Sequence, residues 1–443
     1  MSLLKISSFI ASGGFARKNL RHFFLGGSIF DLSCALYTES LYCLERASHS
    51  EHVKVQAQLL IDLIKEARNR IPAYTAYREL KNVGEITGLP VVSKSEMRHR
   101  FEKGINTNAD MQDFQIPQWT SGSTGIPFNF YLDKSMLPMR IAVYRRLLRW
   151  VGKESSDYVV RLMPREHPGL EREGILFKCG GPKDIEENTN AIYDLLAGKL
   201  VVLQSRVSYL VCLAQCMERD KKSFRFKAII SYTEQLFPEV RAYLEKVFQC
   251  PVFNYYASNE ITAIGQECEK HDGFHINSEW ALVEVVDDFG RLIEDGRYGR
   301  IIVTSLWNHV MPFIRYEIGD IGYWVQHPCA CGRTLPRIKI EGRKNDSFLL
   351  PNGKTGILGA LMWPLISNIN KVFQYQVVRY SPTRYEVRIV PTEVFKQEDK
   401  KLIEKRFQEY LGANVSIIVT IAKTIEETSG GKQRAFINLD PLH

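Results

Sequence analysis

No apolar run in this sequence approaches the ~18 residues that a membrane-crossing helix requires, so no membrane span is expected. Long blocks of Lys and Arg are also missing. The formal net charge is +8, from 58 basic and 50 acidic side chains in 443 residues. That balance suits small anionic ligands and gives no footing for a nucleic-acid partner. The nine cysteines are odd in number and widely scattered. That pattern argues against an oxidised disulfide framework and for a reducing compartment. Residues 1–10 are apolar with one Lys and run into Ser-Gly-Gly and Arg17-Lys18 without a cleavage-type segment, so a cytoplasmic location is expected. Internal repeats, low-complexity tracts, a P-loop ending in Gly-Lys-Ser/Thr and a carrier segment with a phosphopantetheine serine are all absent.

What is present is ordinary globular composition, 45% hydrophobic and 24% charged, in a chain long enough for about two to four domains. The basic clusters 98–100 and 140–149 read as solvated helix faces. Residues 1–110 look mainly helical, with a helical run over 41–67 that Ile71-Pro72 ends. Residues 89–96 read as a short strand and a helix start, with Ser93 or Ser95 as cap. Short apolar strands at 158–162, 200–203, 228–231 and 252–256 alternate with helical segments such as 208–219 and 238–248. That alternation indicates an α/β sheet covered by helices. From 274 to 340 the pattern turns to period-two strands (280–286, 299–305, 322–325) with a turn at 287–290, a barrel-like β subdomain. After a break at 342–346 the remainder reads as a hairpin (372–380, 384–389), a helix (397–411) and a strand (415–421). The expected organisation is a large α/β domain over 1–343 and a small, mobile α+β domain over 344–443.

One loop stands out. Thr120-Ser121-Gly122-Ser123-Thr124-Gly125-Ile126-Pro127 is followed by strand-like Phe128–Leu132 residues. Its glycines let backbone N–H groups close around an anion, and its hydroxyls add donors without bulk. Read by composition alone it is a flexible surface loop. Its order of residues resembles the pyrophosphate-binding signature of the adenylate-forming superfamily, which includes acyl-CoA synthetases, luciferases and peptide-synthetase adenylation domains.

Further elements resemble that superfamily in the same order. Asn254-Tyr255-Tyr256-Ala257-Ser258-Asn259-Glu260 is similar to its Tyr-Gly-x-Thr-Glu element, with Ala257 for Gly and Asn259 for Thr. The resemblance implies that Tyr256 lies against adenine and that Glu260 helps bind Mg2+, a hard cation that shares oxygen ligands with phosphates. Ser231-Tyr232-Thr233-Glu234 occupies the place of an adenine-contacting loop and reads equally as a helix cap. Arg315-Tyr316-Glu317-Ile318-Gly319-Asp320 resembles the Tyr-x-x-Gly-Asp element, which implies that Asp320 accepts hydrogen bonds from ribose. Gly342-Arg343-Lys344-Asn345-Asp346 resembles the element in which Arg343 contacts ribose or phosphate and the interdomain hinge follows. Thr428-Ser429-Gly430-Gly431-Lys432 resembles the C-terminal loop whose lysine enters the active site. Lys432, Glu260 and Thr124 are the implied catalytic residues. Thr120, Ser121, Gly122, Ser123, Thr124, Gly125, Tyr256, Asn259, Glu260, Asp320, Arg343 and Lys432 are the implied ATP-binding set.

Within the superfamily, three segments are similar to the phenylacetate–CoA ligase and CapK-like capsular polysaccharide branch. They are Gln266-Glu267-Cys268-Glu269 with Gly273-Phe274-His275-Ile276, Met311-Pro312-Phe313-Ile314-Arg315-Tyr316, and Cys329-Ala330-Cys331-Gly332-Arg333. Cys268, His275, Cys329 and Cys331 offer a Cys3His set for structural Zn2+, with His271 as an alternative ligand. The rival reading is a pair of buried thiols and a turn. The implied activity is ATP-dependent activation of a carboxylic acid as acyl-AMP, followed by transfer to CoA or an amine. A non-catalytic nucleotide-binding scaffold on a degenerate ligase fold is the alternative.

Overall fold

The structure, a computed structural model, describes residues 27–102, 115–120, 128–343, 347–349, 355–357, 371–412, 414–425 and 436–439. The chain is α/β and divides into two compact units. Residues 1–156, 166–174 and 253–340 make the first; 157–165, 175–252 and 341–443 make the second. Among the described residues no helix is long and apolar enough to cross a membrane.

In the first unit the helical run expected over 41–67 is two helices, Gly27–Leu44 and His49–Arg70. Ser48 breaks it. Its side chain caps the amide of Glu51 while Glu51 reaches back to the Ser48 amide, a reciprocal capping box. The second helix stops at Ile71, which turns extended ahead of Pro72. Ser93 makes the same box with Glu96 and starts helix Lys94–Glu102. The β framework runs in the order Ala281–Val286, Gly299–Ser305, Tyr316–Trp324, Arg337–Arg343, Phe274–Ile276, Thr262–Gln266 and Val252–Ser258. Most neighbouring strands here are antiparallel. Leu59, Leu60, Leu63, Met139, Val143, Val283, Val303 and Phe313 belong to one continuous core.

The second unit has a parallel sheet in the order Arg225–Tyr232, Leu200–Arg206, Tyr158–Met163, Ile175–Lys178. Helices Pro182–Glu187, Thr189–Leu196, Val207–Arg219 and Pro238–Phe248 share a core with Val160, Leu203 and Ile229. Its C-terminal part is a four-stranded sheet in the order Ser416–Ile421, Arg384–Pro391, Val372–Ser381, Phe436–Asn438. Helix Gln397–Leu411 packs Ile403 and Phe407 against Val377, Val387 and Val419 of that sheet. Tyr375 packs against both of this unit's cores. The cut expected after Arg343 is taken up below as a proposed hinge.

One reading is corrected. The cluster 140–149 is not a solvated face, because helix Leu137–Trp150 is buried on most sides. Arg146 is 0% exposed, its guanidinium bonded to both oxygens of Glu279 at 3.1–3.3 Å and to Asn277. Arg145 beside it pairs with Glu173 and is 39% exposed. Two adjacent arginines therefore differ in what their loss costs. Arg146→Ala strands a buried carboxylate and should cost about 3–5 kcal/mol. Arg145→Ala should cost about 1 kcal/mol or less. Urea unfolding of the two variants measures the contrast, and equal midpoints would contradict it.

Candidate active site

The site is built on three backbone devices in the first unit. The first is a hairpin. Strands Gln115–Thr120 and Phe128–Asp133 pair antiparallel with Thr120 opposite Phe128. This register pins both ends of the glycine loop, and a strand follows it as expected. Ser121, Gly122, Ser123, Thr124 and Gly125 lie outside the described residues. Phe128 and Phe130 stack at 5.9 Å and both meet Phe313 edge-on, which anchors the stem.

The second device is the tip between strands Val252–Ser258 and Thr262–Gln266, which carries Asn259 and Glu260. Ser258 Oγ accepts the Ile261 amide, and Thr262 sits at φ 66°. A β-branched residue at positive φ is strained, and such strain persists only where neighbours enforce it. Trp280 supplies part of that enforcement, donating its indole N–H to the Ile261 carbonyl at 2.8 Å from a fully buried position. Asn277 donates to the Ala263 carbonyl at 3.0 Å. Glu260 is thereby held 6% exposed, and Asn259 beside it is half-buried.

The third is strand Tyr316–Trp324. Alternation puts Tyr316, Ile318 and Asp320 on one buried face. Tyr316 donates its hydroxyl to Glu260 Oε1 at 3.1 Å. Asp320 accepts the Tyr256 hydroxyl at 2.7 Å. The Tyr256 ring packs on Phe274 at 5.5 Å. A fourth group, unrecognised from the sequence, completes the cluster. Lys94 Nζ donates to Thr120 Oγ1 at 2.8 Å and lies 3.4 Å from Glu260 Oε1. Its only sequence signal was its place in Ser93-Lys94-Ser95-Glu96, read there as a helix start. The loop stem, Glu260, Tyr316, Asp320 and Tyr256 thus come together in one unit, with an ammonium added.

Arg343 ends its strand with an exposed side chain, in the second unit. Lys432 and the hinge residues Lys344, Asn345 and Asp346 lie outside the described residues. Just after strand Arg225–Tyr232, Glu234 accepts from the Ser208 amide and hydroxyl at 2.7 and 2.9 Å, so it caps helix Val207–Arg219. Thr233 beside it is at φ 74°.

A second constellation lies in the first unit. The ligand atoms of Cys268, His275, Cys329 and Cys331 all fall within 4.8 Å of one another. His271 instead bonds Glu267 at 3.1 Å. His275 Nδ1 lies 3.2 Å from the Leu335 carbonyl, and its Nε2 is 3.5 Å from Cys331 Sγ. A carbonyl partner on Nδ1 fixes the tautomer that leaves Nε2 for a metal. Burial pushes the imidazole pKa down to about 4, which keeps it neutral. The Lys270 and Arg333 amides donate to Cys268 and Cys331 sulfurs at 3.5 and 3.4 Å. This donor set fits a tetrahedral structural Zn2+.

Comparison with known proteins agrees with this architecture. The CapK C-terminal domain family matches residues 349–439. Protein CapK of Staphylococcus aureus is 30% identical over 382 residues, 80% of this chain and 81% of the relative. A phenylacetate-coenzyme A ligase of Thermus thermophilus is 28% identical over 320 residues, 67% of this chain and 71% of the relative. Among solved structures, a 2-hydroxyisobutyryl-CoA ligase in the postadenylation state has a TM-score of 0.75 at 18% identity, covering 89% of this chain and 91% of its own. That last likeness speaks for the fold. The relative at 30% identity over four fifths of both chains speaks for descent, and with it this chain belongs to the adenylate-forming ligases, in their phenylacetate–CoA ligase and CapK branch.

Proposed function

We propose that this protein uses ATP to activate a carboxylic acid as acyl-AMP, whose acyl–oxygen bond is then broken by the coenzyme A thiol to give the thioester and release AMP. The observation that carries the reading is the cluster of a glycine-loop stem, a buried carboxylate, an ammonium and a strand carboxylate in one unit. In the proposed reaction a carboxylate oxygen of the substrate attacks the α-phosphorus of ATP. The P–O bond to the bridging oxygen breaks, and pyrophosphate leaves with that electron pair. The N–H groups and hydroxyls of residues 120–125, Thr124 among them, cradle the phosphates. Glu260 would share Mg2+ with those phosphates, which supplies charge neutralisation. Lys94 adds a cation beside the loop stem, Asp320 and Arg343 hold the ribose, and Tyr256 and Asn259 flank the adenine.

Lys432 is assigned to the charge that develops on the α-phosphate. The C-terminal residues would turn about 344–346, so that 1–343 and 344–443 act as the large and small domains of the cycle. Closure of that kind also keeps water from a reactive mixed anhydride. An amine is the alternative acceptor. Cys268, His275, Cys329 and Cys331 would hold Zn2+ as a structural cross-link.

Pyrophosphate release with a panel of carboxylic acids tests the first half-reaction. Acid-dependent release is expected, and none under conditions where ATP binds would sink the reading. Mass spectrometry of the product formed with CoA or with amines identifies the acceptor. Lys432→Ala should slow pyrophosphate release about 100-fold or more. It should leave consumption of preformed acyl-AMP largely intact, and equal loss of both steps would contradict the assigned movement. Elemental analysis of the purified protein should find about one zinc per chain. Cys331→Ser should lower both that content and the melting temperature; metal-free wild type removes zinc from the account.

A further inference from the structure

The segment that leads into Lys94 is held by a buried arginine that the proposed reaction does not use. Arg315 precedes strand Tyr316–Trp324 and is 2% exposed, at φ 48° in the left-handed region. Such a backbone state in a bulky residue must be held by its surroundings. Its guanidinium pairs with Glu284: Nε donates to Oε2 at 3.1 Å, and Nη2 lies 2.9 Å from Oε1 as an ion-pair contact. The remaining N–H groups are spent on backbone. Nη1 donates to the carbonyls of Leu89 and Thr87 at 2.6 and 3.1 Å, and Nη2 to that of Gly290 at 3.1 Å.

The main chain of the same residue completes the tie. The Arg315 carbonyl accepts the Val92 amide at 2.8 Å, and the Glu317 amide donates to the Val92 carbonyl at 2.9 Å. Val92 thus forms a parallel bridge to Tyr316. One residue further on, Ser93 caps the helix that Lys94 opens. Arg315 therefore grips the segment 87–92 from its side chain and its backbone, immediately before Lys94 reaches Thr120 and Glu260. Tyr316, the next residue, holds Glu260 from the other side.

We propose that Arg315, anchored on Glu284, is a positioning residue that sets the reach of Lys94 toward the loop stem and Glu260. The proposal rests on the reading of this cluster as a nucleotide-phosphate site. Lysine cannot replace the guanidinium here, because a point charge cannot serve a carboxylate and three carbonyls together. Arg315→Lys nevertheless keeps a positive charge beside Glu284 and so avoids leaving a buried carboxylate alone.

The test is calorimetric binding of magnesium ATP to the full chain, for wild type, Lys94→Ala, Arg315→Lys and the double variant. Lys94→Ala and Arg315→Lys should each weaken binding about ten-fold, the scale of one lost charge-assisted contact. If Arg315 acts through Lys94, the double variant binds no more weakly than Lys94→Ala alone. General loosening of the fold would instead multiply the two losses, and that result overturns the proposal, as does unchanged binding in Arg315→Lys. Val92→Pro cuts the same tie without touching the Arg315–Glu284 pair, and it takes the place of Arg315→Lys in the cycle if that variant fails to fold. Wild type that binds no ATP sinks the nucleotide-site reading and this proposal together; wild-type binding with multiplied losses sinks this proposal alone.

Discussion

A buried carboxylate must be compensated, and the first unit is organised around compensating Glu260. Taking an ionised acid out of water costs several kcal/mol unless partners replace its hydration. Those partners come from three separate stretches of chain. Lys94 arrives from the helix start at residue 94, Tyr316 from a strand more than two hundred residues later, and Thr120 binds Lys94 from the loop stem. None of the three contacts is local. The strained tip at 259–262, the Trp280 and Asn277 anchors and the Arg315 grip each fix one of the stretches that must converge. Stability and site geometry are thus the same constraint viewed from two directions.

The cysteine–histidine cluster extends that logic to the helical face. Trp150 meets His275 edge-on at 5.4 Å, and Arg333 lies over the Trp150 ring at 4.2 Å. The Trp150 indole donates to Glu45 at 2.7 Å, and Thr334 bonds the carbonyls of Glu45 and Ala47. Those last residues are the interruption between the first two described helices. The segment 329–335 therefore ties the helix break, helix Leu137–Trp150 and strand Phe274–Ile276 together. The Cys268 and Cys329 sulfurs lie 3.7 Å apart, and all four ligand atoms fall within 4.8 Å of one another. That approach is what the proposed structural Zn2+ would require.

What could be read from the sequence was what is local or what keeps a fixed order. Helices 238–248 and 397–411 were legible to the residue because their apolar period and flanking residues agree. Asp320 was legible because Tyr316-x-x-Gly319-Asp320 keeps the order of a family element, although alternation showed a strand only from 322, and the chain break at Ile71-Pro72 because proline acts on its neighbours. The break at Ser48 was missed although Ser48-x-x-Glu51 spells a capping box, since the apolar period continues across it. Lys94 and Arg315 were invisible as site residues for a physical reason. A lysine at a helix start and an arginine before a strand are ordinary, and only long-range contacts give them meaning. Arg146 is buried although charge alone suggests exposure, and no short-range signal announces that Glu279 waits 133 residues away.

The ion pair of Lys94 with Glu260 also has consequences for the proposed reaction. Without nucleotide, each charge satisfies the other, and neither is left bare in a buried place. In that reaction magnesium ATP would offer both of them new partners, phosphate oxygens for the ammonium and a cation for the carboxylate. Binding would then exchange one paired state for another and create no uncompensated charge. The cost of opening the pair is small, because at 3.4 Å with a lysine 34% exposed it is longer than a tight charge-assisted hydrogen bond and partly screened. Tyr316 would stay bonded through the exchange, since a hydroxyl can hold one carboxylate oxygen while the other turns to a cation. A site arranged this way would be stable when empty and still favour its ligand. On the proposed roles, the grip on the segment preceding Lys94 has to be firm while the pair it delivers is loose.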